Sequence, residues 1–219
     1  MAKEGVAAIQ KREKMGMVLR ILKREYPEAE CSLHFETPFQ LLIATILSAQ
    51  CTDARVNLVT PRLFAKYPTA EKMAKASLAD IERLIKTVGF FRAKALSLQT
   101  TARALVENHG GQVPQDLEAL ILLRGVGRKT ANVVLGVAFK VPGLVVDTHV
   151  KRLCFRIGFT TSTDPVKIEQ QMMTLVPKED WTHFAHLMIC HGRAICIARR
   201  PKCEECPLTQ ICSKKGVVI

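Results

Sequence analysis

The chain has 219 residues, 48% of them apolar and 24% charged, the balance of a globular protein of one large or two small domains and not of a disordered chain. Thirty-two Lys and Arg against 20 Asp and Glu give a net charge of +12, which points to a polyanion such as nucleic acid or, more plainly, to a solvated basic surface. Aromatic residues are only 5% and the basic residues form no tail, so a folded basic face is expected to meet a polyanion, not a set of stacking platforms.

In chain order the sequence reads as helix after helix. Residues 17–26 are periodic, 39–49 form an apolar helix, and 54–66 follow, with a kink or break expected at Pro61. Residues 80–88 place Ile81, Leu84, Ile85 and Val88 at helical spacing. A helix over 94–108 runs into His109, Gly110 and Gly111, a stop signal. Helices are expected over 116–123 and 129–139, joined by a very short turn, and then over 148–157, 165–175 and 181–194. Only 144–146 has any strand character, and the fold class is all-α. The longest run without Asp, Glu, Lys or Arg, residues 37–52, is 16 residues long and contains Gln, Ser and Thr. It is too short and polar to span a bilayer. The opening MAKEGVAAIQKREK carries charges where a secretory signal needs an apolar core. No membrane association and a cytoplasmic location are expected.

Residues 120–136 read LILLRGVGRKTANVVLG. Gly125 and Gly127 permit a tight turn and let the backbone approach another molecule closely. The first N–H groups of the next helix lack intrahelical partners, and together with the helix dipole they favour a phosphate. The plain alternative is an αα-hairpin with a glycine cap; Arg128 and Lys129 in a basic chain favour the phosphate. Lys129 falls at the positive end of that dipole, where partial desolvation would favour its neutral amine. A neutral amine is a nucleophile able to form a Schiff base. Charge-only phosphate binding is the simpler alternative. Asp147, in the run V-D-T-H, precedes a helix and suits an N-cap. The same carboxylate is held ionised and could take a proton or face a developing positive charge.

Four of eight cysteines, Cys196, Cys203, Cys206 and Cys212, fall within 17 residues as C-x6-C-x2-C-x5-C. That is a metal or cluster array, and the spacing alone admits zinc or iron–sulfur. Cys190 lies in an apolar helical run and reads as a core residue. Arg199, Arg200 and Lys202, between the first two ligands, could meet phosphates or balance the thiolates.

G-V-G-R-K-T-A, then V-D-T-H, then the four-cysteine array, in this order, resemble the bacterial endonuclease III family of helix–hairpin–helix base-excision DNA glycosylases, over about residues 20–212. The resemblance implies two helical domains with DNA in a groove between them: a six-helix domain at 31–141, with the helix–hairpin–helix at about 116–139, and a discontinuous one of 1–30 plus 142–219. It implies a 4Fe-4S cluster on the four cysteines of the 196–212 loop. Lys129 would be the Schiff-base lysine and Asp147 the catalytic aspartate. Gln50, in L-S-A-Q, would fill the gap left by an extruded base, and Phe90, in G-F-F-R-A-K-A, would be the wedge. Gly125, Gly127, Arg128, His149, Arg199 and Arg200 would complete the DNA contacts. The implied protein is a monomer of the bacterial cytosol or nucleoid that removes oxidised pyrimidines from double-stranded DNA containing damaged bases and then cuts at the abasic site.

Two departures stand out. Arg124 replaces the proline usual before G-V-G, and Phe90 replaces a frequent leucine at the wedge. An adenine-mismatch glycosylase of the same superfamily fits less well. That branch lacks a lysine at position 129, has a carboxylate near Ala44, and carries a C-terminal recognition domain where this chain runs seven residues past Cys212. The rival of another class is a non-enzymatic helix–hairpin–helix DNA-binding module with a zinc site on the four cysteines.

Overall fold

The computed structural model describes residues 6–217, which form eleven α-helices with no strand among them. They are α1 (Val6–Glu25), α2 (Pro38–Ser48), α3 (Asp53–Lys66), α4 (Ala70–Ala74), α5 (Leu78–Leu84), α6 (Phe91–His109), α7 (Leu117–Ile121), α8 (Arg128–Ala138), α9 (Thr148–Ile157), α10 (Pro165–Met173) and α11 (Trp181–Ala194). Thr37, Thr52, Thr69, Asp116, Asp147 and Asp164 each cap a following helix through a side-chain oxygen, an arrangement worth about 1 kcal/mol apiece. Gly110, left-handed at φ 57, ends α6 where the glycine pair predicted a stop.

The all-α expectation holds, with local differences. α1 begins at Val6, not at residue 17. Its early turns are too polar to show periodicity, but they are rich in Ala, Gln, Lys and Arg, which extend a helix by propensity. α3 runs through Pro61 as a single helix. Pro61 is exposed, so water can meet the carbonyl that loses its donor one turn back. α5 stops at Leu84, and Val88 is buried through a turn on Ile85 instead. α4, of five residues, is too short for periodicity to reveal. Residues 144–146 form no strand.

The chain divides into two compact units, Cys31–Val141 and the discontinuous pair Met1–Glu30 with Pro142–Ile219. In the first, α2 is buried from Phe39 through Leu47. A helix apolar on all sides belongs at the centre of a bundle, and α3, α6 and α8 pack on it. Leu41, Leu42, Ile43, Leu63 and Leu98 are fully buried there, each contributing roughly 1.5–3 kcal/mol. In the second unit α11 packs on α1 and α9 around Met15, Leu22, Leu153 and Phe184. Beyond α11, residues 195–217 contain no helix, and Leu208 is the only apolar core residue among them. No helix among the described residues is long and apolar enough to cross a membrane.

Candidate active site and cluster loop

The hairpin between α7 and α8 is built from the backbone outward. Val126 is buried and its N–H bonds to the Leu123 carbonyl at 3.1 Å, pulling the loop into the core. Gly125 is left-handed at φ 80, and a Cβ there would lie 3.2 Å from Ser97 Cβ. Gly127, at φ −93, is the N-cap of α8, has no side-chain cap, and would carry a Cβ into open space. Gly125 therefore makes the turn, while Gly127 leaves the helix start uncovered. Arg128 and Lys129 follow in the first turn, both exposed. Arg124 keeps the turn without proline: it is exposed, and its carbonyl accepts a 2.8 Å hydrogen bond from Thr101 Oγ1 of α6.

Two further loops of the same unit carry the sequence-predicted prongs. Gln50, just past the end of α2, is exposed and left-handed at φ 54. Phe90, the N-cap of α6, is left-handed at φ 58 and 69% exposed. The adjacent Phe91 packs against the core, so Phe90 is the ring left outside.

In the other unit Asp147 is the N-cap of α9, its Oδ1 accepting from the Val150 N–H at 2.8 Å. His149 is half-buried, its Nδ1 3.1 Å from Arg152 Nη2. Burial pushes its pKa down, with Arg152 and Arg193 adding to the push and Asp147 opposing it. The ring sits against Gly192, where a Cβ would come within 2.6 Å of Nδ1. Arg199 and Arg200 are exposed.

The four cysteines line one recess together with Arg156, His191 and Leu208. Arg156 Nη1 donates to Cys196 Sγ at 3.4 Å, the Lys214 N–H to Cys212 Sγ at 3.4 Å, and His191 Nε2 lies 3.4 Å from Cys206 Sγ. The Tyr26 hydroxyl lies 3.0 Å from the other nitrogen of His191, and burial pushes that imidazole down to about 4. Burial also pushes the Cys206 and Cys212 thiols up, and neighbouring cysteines push the same way. Cys196, Cys206 and Cys212 each have a hydrogen-bond neighbour at sulfur, the kind of surrounding that orients and tunes thiolate ligands.

Besides His191, three supporting residues escaped the sequence reading. Arg152 and Arg156, one turn apart on α9, grip the start of the cysteine loop. Arg152 donates to the Gly192 and Cys196 carbonyls, and Arg156 to Ile197 O at 2.8 Å and Ala198 O at 2.6 Å. Arg156 is only 8% exposed, and an arginine in register with Leu153 and Ile157 was the available signal. Lys94, in the first turn of α6, is the third.

The helical fold, the uncapped hairpin and the four-thiolate loop define a class of DNA-repair protein. Residues 43–178 match the model of the HhH-GPD superfamily base excision DNA repair proteins, and residues 196–212 match the iron-sulfur binding domain of endonuclease III. Endonuclease III of Synechocystis is 53% identical over 92% of this chain and 93% of its own, and that of Bacillus subtilis is 46% identical over 88% and 91%. A solved structure of a trapped endonuclease III–DNA covalent intermediate superposes with a TM-score of 0.88 at 43% identity, covering 93% of this chain and 96% of that one. This chain belongs to the endonuclease III family. It is a DNA N-glycosylase and abasic-site lyase of base-excision repair for oxidised pyrimidines, with a 4Fe-4S cluster as its cofactor. The zinc-bearing, non-enzymatic alternative is not favoured.

Proposed function

We propose that Lys129 is the nucleophile and Asp147 its acid–base partner. The carrying observation is an exposed primary amine in the first turn of a helix with no side-chain cap. There the first N–H groups of the helix favour a phosphate.

The substrate is double-stranded DNA containing a damaged pyrimidine, whose extrusion costs a few kcal/mol, less than for a paired normal base. Lys129 Nζ bonds to C1′ of the extruded nucleotide while the glycosidic bond breaks and the base leaves with the electron pair. Asp147, at the N-terminus of α9, takes up a proton from the attacking amine and stabilises positive charge developing on the sugar. Ring opening gives a Schiff base, which acidifies the C2′ proton. Loss of that proton expels the 3′ phosphate by β-elimination. Gln50 and Phe90 occupy the space in the stack. Gly125, Gly127 and Arg128 hold a phosphate, and Arg199, Arg200 and His149 are further DNA contacts. The cluster would be held by Cys196, Cys203, Cys206 and Cys212 and would organise their loop. The protein acts as a monomer in the bacterial cytosol or nucleoid.

Borohydride trapping on DNA with an oxidised thymine tests the reading. Lys129→Gln is expected to abolish the covalent adduct and strand cleavage while leaving affinity for lesion DNA within about threefold, because the amine is needed only in the covalent step. Asp147→Asn is expected to keep α9 capped, since Asn also caps well, yet to lose most base release. Retention of full lyase activity by Lys129→Gln, with only affinity lost, would make Lys129 a phosphate contact and end the proposal.

A further inference from the structure

Lys94 has no part in the chemistry above, yet its side chain is only 7% exposed. Its Nζ donates to Leu47 O at 2.8 Å and to Ala49 O at 2.6 Å. Its backbone N–H donates to Phe90 O at 3.0 Å. One residue thus bonds through its side chain to the chain just before Gln50 and, through the first i→i−4 bond of α6, to the main chain of Phe90. The two carbonyls taken by the ammonium lie at the end of α2, where the last C=O groups lack helical donors and carry the negative end of the dipole. The loops also meet directly: a Cβ on Gly89 would stand 3.8 Å from Gln50 O.

Gln50 and Phe90 are both left-handed without being glycine, at φ 54 and 58. Such residues persist only where the surroundings over-determine them. Burying an ammonium is costly unless its donors are satisfied, and burial pushes the pKa of Lys94 down. An apolar side chain would fill this space more cheaply. What it would not do is fix two loops against each other.

We propose that Lys94 is a positioning residue for lesion recognition: its ammonium and its backbone N–H lock the Gln50 loop and the Phe90 loop into one two-pronged element that enters the duplex in register at the extruded nucleotide. This rests on the reading in which Gln50 and Phe90 meet DNA.

The test is a mutant cycle in the full-length, cluster-loaded protein. The readout is discrimination, the ratio of affinities for a duplex carrying a tetrahydrofuran abasic analogue and for undamaged duplex. Lys94→Met keeps the length of the side chain and removes its donors. It is expected to lower discrimination roughly tenfold, the size of a lost charged hydrogen bond, with affinity for undamaged duplex unchanged. The Gln50→Ala/Phe90→Ala variant is expected to lose discrimination too. Adding Lys94→Met to that pair is expected to cost nothing more, since the clamp acts only through the prongs; a merely structural lysine would give an additional loss. If Lys94→Met does not fold, Lys94→Gln, which keeps a neutral donor, is measured in the same cycle. Unchanged discrimination, equal loss on undamaged duplex, or further loss in the triple variant overturns the clamp. If Gln50→Ala/Phe90→Ala discriminates as well as the parent, the fault lies instead in the reading of these residues as DNA contacts, and the clamp falls with it.

Discussion

The unit Cys31–Val141 and the cysteine loop of the other unit reach order by opposite routes. In the first, an apolar α2 is wrapped by α3, α6 and α8, and the positions proposed to meet DNA are main-chain features on that scaffold: Gly125 at φ 80, Gln50 at φ 54, Phe90 at φ 58. In the second, residues 195–217 have no helix and bury one apolar core residue, Leu208. Their carbonyls are held by the guanidinium groups of Arg152 and Arg156, and their thiols face one recess. Hydrophobic burial can hold a backbone in strained conformations. A loop without burial needs ligation and charged hydrogen bonds.

The largest expected effect follows from that contrast. Cys203→Ser should lose the iron, seen as loss of the broad absorbance near ~400 nm, because cluster binding is coupled to folding of its loop. Amide exchange should accelerate through residues 195–217 while α2 and α6 keep their protection. Cys190→Ser should retain the iron: Cys190 lies on α11, half-buried, and is absent from the recess lining. Retained iron in Cys203→Ser together with lost iron in Cys190→Ser would contradict the ligand assignment and the contrast with it.

The same difference governs what the sequence revealed. Helix positions came from apolar spacing, and α9 and α11 match that spacing at both ends. The cap role of Asp147 was readable because capping is local in sequence. The four cysteines stood out as a dense array, although their spacing alone left zinc and iron open. Lys94 was invisible as a clamp because its acceptors lie 47 and 45 residues away. His191 was hidden for a similar reason: Tyr26 is 165 residues from it in sequence. The two glycines of the hairpin looked alike, and only backbone dihedrals separate their roles.

That separation gives a smaller, sharper effect within the apolar unit. Gly125→Ala forces a side chain into the left-handed region against Ser97, with an expected loss of about 2 kcal/mol in unfolding free energy. Gly127→Ala sits at φ −93 with nothing within 4 Å of its Cβ, so stability should stay within about 0.5 kcal/mol. If the hairpin takes a phosphate against its backbone, Gly127→Ala should still weaken binding to undamaged duplex. Urea unfolding and a binding titration on both variants check the pair. Full affinity in Gly127→Ala would mean that the backbone approach is not close, whatever Gly125→Ala does to the fold.

The smallest effect concerns the charges on the cysteine loop. Two roles were open for Arg199 and Arg200: phosphate contact or compensation of the thiolates. Compensation calls for a guanidinium on a sulfur, and Arg156 occupies that place with its hydrogen bond to Cys196. Arg199 and Arg200 are exposed, on backbone that Arg156 fixes through Ile197 O and Ala198 O. That arrangement favours a rigid pair of outward cations. Arg199→Ala and Arg200→Ala should each reduce affinity for damaged and undamaged duplex alike, and each should flatten log K against log salt by about one unit per lost phosphate contact. Iron content and melting temperature should not move, because neither side chain touches the recess. Arg156→Ala should do the reverse, lowering iron retention first. An unchanged salt slope in the Arg199 and Arg200 variants, with iron lost, would return both residues to compensating the thiolates.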